Sequence, residues 1–232
     1  MKKIYFVLLF VLLSGLLSWN KAKAECPPGW FEHQNYITYT YEKFGVQFIC
    51  QAKVTFCCRW NPYTQQTEVI LKSVYAADSA YRDCLWFIAQ NSALYNGFLL
   101  ELYKEVALFA KQDPNCSPVC PPCGEDTTFF VKLKIYNCVK WISKPTIVTN
   151  TGQILEWGWG LEYCDVNSFC LYTYGCCSDW NESPPETHTW LVSVEEIGTP
   201  ECPFVEPQVP PEGKDWDEPW ETECFAVPCS RR

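Results

Sequence analysis

Histidine is nearly absent from this chain of 232 residues: it has only His33 and His188, far apart and outside any ligand-like spacing. That scarcity gives no support to a serine–histidine or cysteine–histidine nucleophile, and no Gly-x-Ser-x-Gly elbow occurs. Basic residues are also few, 18 Lys and Arg against 27 Asp and Glu. Such a balance repels phosphate backbones, so no nucleic-acid partner is expected, and the acid excess reads as solubility. Long apolar runs are missing too. The single one, Ile4 to Leu17, is shorter than the roughly 20 residues a spanning helix needs.

That run is the core of an export signal. Lys2 and Lys3 precede it, and Ala22-Lys23-Ala24 supplies a small-residue cleavage pattern, so residues 1–24 are expected to be removed. Cleavage takes away four lysines and no acid, leaving 14 basic against 27 acidic residues and no transmembrane segment. Glu25 separates Ala24 from Cys26, which argues against a lipid-anchored start.

What the chain has in abundance is cysteine, sixteen in all. In an exported protein these are expected to pair as structural disulfides: Cys26, Cys50, Cys57, Cys58, Cys84, Cys116, Cys120, Cys123, Cys138, Cys164, Cys170, Cys176, Cys177, Cys202, Cys224 and Cys229. Eight links at about 2–4 kcal/mol each can replace a sizeable core. Adjacent cysteines, Cys57-Cys58 and Cys176-Cys177, should join different partners, because bridging neighbours strains the peptide between them.

The chain also resembles itself at an offset of 120. Cys50, Cys57, Trp60, Asn61, Thr67, Leu71, Ser73 and Val74 recur as Cys170, Cys177, Trp180, Asn181, Thr187, Leu191, Ser193 and Val194, and Glu42 recurs as Glu162. Cys26 with Trp30 and Cys138 with Trp141 look like the two openings. This predicts two copies of one module, with corresponding disulfide pairings and with Trp30, Trp60, Trp141 and Trp180 in the module cores.

The expected fold is mainly β with a helical insertion: two duplicated, disulfide-rich antiparallel β modules built as small sheets or sandwiches. Residues 25–77 form the first module and 114–202 the second. Strands are predicted at Tyr36–Tyr41, Val46–Cys50, Ala52–Phe56, Thr67–Tyr75, Phe129–Tyr136, Ile154–Tyr163, Phe169–Tyr174 and His188–Val194. Between the modules, 78–113 turns helical. Tyr95, Phe98, Leu99, Leu102, Val106 and Phe109 or Ala110 recur at intervals of three and four. Asp78 or Ser79 and then Ser92 are the expected caps of a helical hairpin packed between the modules. Residues 203–232 are acidic and rich in proline, and Cys224 and Cys229 should pin them as an extended strap.

Several constellations invite chemistry. Cys116, Cys120 and Cys123 have the spacing that resembles the cluster motif of radical SAM enzymes, but an exported chain meets an oxidising space first. Cys120-Pro-Pro-Cys123 resembles a thioredoxin-type active site, yet Gly124-Glu-Asp-Thr-Thr128 follows in place of the helix that would stabilise a thiolate. No metal, cofactor or catalytic residue is therefore assigned. Trp157 and Trp159 flank Gly158 and share one strand face, as core or as a stacking platform; Trp216 and Trp220, in the tail, are the other candidate binding aromatics.

Cys26-Pro-Pro-Gly-Trp30, directly after the signal, resembles the mature start of a group of cysteine-rich exported bacterial proteins. The resemblance covers the module starts and vicinal cysteines, and it implies an extracellular module without an activity. The expectation is a secreted or cell-surface interaction or structural protein, with the periplasm as the alternative site, engaging an extracellular protein or glycan and leaning away from catalysis. Two rivals are a secreted glycan hydrolase with paired carboxylates and an inhibitor or ligand-binding module using the tail tryptophans.

Overall fold

A computed structural model describes residues 26–124, 129–148, 151–152, 154–183 and 185–229. The expected export signal and cleavage site lie outside the described residues. One sheet, rather than two separate small ones, gathers ten strands: β1 (Phe31–Lys43), β2 (Val46–Asn61), β3 (Gln66–Ala76), β4 (Phe129–Tyr136), β5 (Cys138–Val148), β6 (Ile154–Tyr163), β7 (Phe169–Asp179), β8 (Glu186–Ile197), β9 (Trp220–Glu221) and β10 (Phe225–Ala226). Among the described residues two α-helices, α1 (Arg82–Ala89) and α2 (Ser92–Gln112), cover one of its faces.

Aromatic and β-branched residues alternate with polar ones along β1, so Ile37 and Tyr41 turn inward while Tyr36, Thr38 and Thr40 face water. In β2 the inward set is Cys50, Ala52, Val54, Phe56 and Cys58, all at most 1% exposed. β1, β2 and β3 form an antiparallel meander, and β4, β7 and β8 form a second antiparallel group, with β5 and β6 between β4 and β7 in the chain. The two groups meet where β3 runs parallel to β4, from Gln66↔Phe130 to Ile70↔Lys134. Parallel neighbours need a long crossover, and the helical segment after β3 supplies it. The insertion is thus the connection that lets the two halves share a sheet.

The helices follow the expected stripe. α2 buries Phe98, Leu99, Leu102, Tyr103, Val106 and Ala110 against the sheet, with the Tyr103 ring 4.9 Å from that of Tyr172. Its cap is Asn91, whose side chain accepts from the Leu94 N–H at 3.2 Å, so Ser92 is the first helical residue rather than the cap. Asp78 accepts from Ala80 N–H ahead of α1.

All sixteen cysteines are paired: Cys26–Cys57, Cys50–Cys84, Cys58–Cys116, Cys120–Cys176, Cys123–Cys177, Cys138–Cys202, Cys164–Cys224 and Cys170–Cys229. Each vicinal pair does send its members to different partners. The expected residue-for-residue correspondence fails, however. Cys50 joins Cys84, whose counterpart at the offset of 120 is Phe204, whereas Cys170 joins Cys229. Partner cysteines sit in connecting segments of unequal length, so the pairings do not recur at a fixed offset. Cys26 precedes β1 and ties to β2; Cys123, not Cys138, precedes β4 and ties to β7.

Candidate functional site

The site begins with a bulge. β2 and β3 pair Thr55 with Ser73 and Phe56 with Leu71, leaving Lys72 as the extra residue. A bulge bends its strand and sharpens its twist. Before Lys72, β3 lies beside β4; after it, β3 lies beside β6, from Ser73↔Glu162 to Tyr75↔Gly160. The sheet therefore forks at Lys72, and a cleft opens between the prongs. It encloses about 570 Å³ counted to its open mouth. Its walls come from β3 (Leu71, Val74), α2 (Tyr95, Leu99, Tyr103) and β6 (Leu161), with Val227 and Pro228 of the tail closing one side.

Within that apolar lining stand a few polar groups. Asn137, at the corner between β4 and β5, is 2% exposed, and neither atom of its side-chain amide has a hydrogen-bond partner among the described residues. Its backbone is satisfied: its carbonyl accepts from Val227 N–H at 2.8 Å and its N–H donates to Ser168 at 3.4 Å. Burial raises the pKa of Tyr95, aided by the Glu206 carboxylate, and pushes that of Tyr103 well above its usual value, so both stay protonated donors.

Glu162 is the one carboxyl group among the described lining residues. Burial pushes its pKa up, but hydrogen bonds from Lys144 (2.5 Å) and the Tyr75 hydroxyl, with the charges of Lys144 and Lys140, outweigh it and hold the group below its usual range. A second, smaller space of about 340 Å³, counted out to open solvent, adjoins the first and shares Val74, Tyr95, Leu99 and Leu161 with it. Trp141 and Trp159 line its far end, and Trp159 has a buried indole N–H without a partner among the described residues.

The four candidate binding tryptophans fall unevenly. Trp159 is 3% exposed and stacks on Trp141, with ring centres 4.7 Å apart and planes 6° apart. Trp216 sits edge-on to Trp86, Trp159 and Trp220, with the Arg82 guanidinium 5.3 Å from its ring. Trp220 is buried, and its N–H donates to the Asp215 carbonyl. Trp157 is half-buried on the same face as Trp159. The tail tryptophans thus complete an interior cluster, and the stacked faces of Trp141 and Trp159 offer no platform for a sugar. Of the four expected core tryptophans, Trp141 is buried and Trp180 is 58% exposed in the β7–β8 turn. Trp30 and Trp60 are half-buried, under Arg59 and beside Phe129 respectively.

The sulfur constellations are closed. Cys116, Cys120 and Cys123 each bond a different cysteine, and Cys120-Pro-Pro-Cys123 lies along β7, where Cys123 N–H donates to the Ser178 carbonyl and Ser178 N–H to the Pro121 carbonyl. His33 stands with Cys58 and Cys116 in a group of metal-ligand type, its Nε2 3.3 Å from the Cys116 sulfur and its Nδ1 3.3 Å from Asp113. The two sulfurs are bonded to each other, so neither is a thiolate ligand in this oxidised state.

Nothing in the sequence announced the cleft. Lys72 and Asn137 carry no motif, and the fork exists only through pairing between segments some 60 to 90 residues apart. Comparison of the chain with family models, curated proteins and solved structures finds no match.

Proposed function

We propose that this chain is an exported, disulfide-stapled protein that acts by binding, and that the cleft at the sheet fork takes a small, mainly apolar ligand. Eight disulfides fit an oxidising location, and no helix among the described residues is long and apolar enough to cross a membrane. The observation that carries the binding role is the buried Asn137 amide. An apolar cleft opens to solvent beside a donor and an acceptor that the protein leaves unused, the usual make-up of a small-molecule site. Catalysis by paired carboxylates finds only Glu162 in the described lining, already engaged by Lys144 and Tyr75.

The halves β1–β2–β3 and β4–β7–β8 read as copies of one module whose first strand differs: at the offset of 120 β1 and Glu42 fall on β6 and Glu162, but the strand beside β7 is β4. Supporting this, each third strand carries its bulge at the same place in the offset of 120, Lys72 on β3 and Val192 on β8. The mature start, Cys26-Pro-Pro-Gly-Trp30, aligns the chain with the cysteine-rich exported proteins it resembles.

A thermal-shift screen of small apolar acids, amides and alcohols on the oxidised protein tests the binding role. A ligand that stabilises wild type and loses its effect in Val74→Phe, which fills the cleft, supports it. Asn137→Leu should fold with equal or higher stability, by up to about 1 kcal/mol, because an unpaired buried amide is removed, and should also bind more weakly. A cleft-directed ligand unaffected by both substitutions would contradict the assignment.

A further inference from the structure

We propose that the tip of the β1–β2 hairpin is a membrane-surface anchor that enters the interface of a zwitterionic bilayer. The turn is Phe44-Gly45, and both residues have positive φ, 55° and 75°. Two-residue turns of that kind favour Asn-Gly or Asp-Gly, because an L side chain in the left-handed region is strained. Here the first position holds phenylalanine, with its side chain 94% exposed. The ring's recorded partner is the Lys43 ammonium, 5.6 Å from its centre. Neither the strained backbone nor the exposed ring returns anything to folding, which points to a use outside the fold.

Phe44 is not isolated. Val46 is 55% exposed, Phe48 40% and Ile49 59%, and residues 44–49 carry no charge. Pleating puts Phe48 on the helix side of the ribbon, where it stacks on Tyr41, and Ile49 on the opposite side, with Phe44 at the apex. Apolar side chains thus leave the tip in every direction. A protein groove would be met by one face, whereas a lipid interface meets all of them. From the Glu42↔Gln47 pair the tip extends two residue steps of roughly 3.3 Å, about 7 Å, so the apex reaches the upper acyl boundary while the exposed Glu42 carboxylate stays at headgroup level. Lys43, with its ammonium 3.7 Å from the Phe87 ring, stands where its stem can follow the apolar surface and its head reach phosphate. The excess of acidic residues over the whole chain disfavours anionic lipid, so apolar contact is the driving term.

Flotation of the oxidised protein with phosphatidylcholine vesicles tests this. The protein should float with the vesicles, and added salt should not release it. Phe44→Asn should lower the partition coefficient at least tenfold, as leaving one phenyl ring in water implies, while its melting temperature stays equal or rises because Asn suits the turn. Tyr63→Ser, at the opposite end of β2 and 97% exposed, should leave partitioning unchanged. Failure to float, salt-released binding confined to anionic vesicles, or a lower melting temperature in Phe44→Asn would overturn the proposal. So would a photo-crosslinker at position 44 on intact cells that traps a protein instead of lipid.

Discussion

Lys111 shows how one residue carries an electrostatic cost into this fold. It sits on the last turn of α2, 5% exposed, with its ammonium donating to the Ser117 hydroxyl at 2.7 Å and facing the rings of Trp60 and Phe129 at 5.6 and 5.4 Å. Burial lowers its pKa from 10.5 to about 8, and the two rings offset part of that penalty. Because the folded value lies below the unfolded one, the penalty is complete below about pH 8. It is relieved between pH 8 and 10.5, where the unfolded chain still holds the proton that the folded chain has released. Lys111→Met should therefore raise the unfolding free energy at pH 7 by about 1–3 kcal/mol. The gain should shrink steadily across pH 8 to 10.5 in denaturant titrations. A loss of stability at pH 7 would mean that the aromatic cage outweighs desolvation.

Among the elements, the junction of β3 with β6 matters most to the cleft, and it rests on Gly160. A Cβ there would run into the Val74 carbonyl oxygen and come within 2.6 Å of the Tyr75 ring. Gly160→Ala should cost about 1–3 kcal/mol through overpacking and speed amide exchange at Tyr75 and Leu161; unchanged exchange would show that β6 does not depend on this close approach. The elements were unequally legible. Phe98, Leu102 and Val106 announced α2 because a helix writes its period into neighbouring residues. For β1 only the middle, Tyr36–Tyr41, was plain, and β2 showed as two pieces, Val46–Cys50 and Ala52–Phe56, of what is one strand to Asn61. β5 was missed, since Lys140, Lys144 and Pro145 interrupt its alternation and its partners lie on β6 and in the tail. The strands at Trp220 and Phe225 were hidden by proline and exist only because β5 offers an edge. The fork, and Asn137 beside it, depend on one bulge and on distant pairings, neither of which leaves a local signature.

At the scale of the molecule, the disulfides decide where the tail goes. Cys138–Cys202, Cys164–Cys224 and Cys170–Cys229 tie residues 202–229 to β5, to the end of β6 and to β7. Trp216 and Trp220 are thereby laid into the cluster with Trp86 and Trp159, and Val227 against the cleft. The framework also holds Cys120 and Cys123 apart from each other and beside β7, so the Cys-Pro-Pro-Cys segment acts as a structural clamp. Peptide mapping of the oxidised protein under non-reducing conditions tests this framework most directly. It should find no free thiol and should recover Cys120–Cys176, Cys123–Cys177 and the three tail links. A local Cys120–Cys123 bond, or a tail released by trypsin without reductant, would contradict the account.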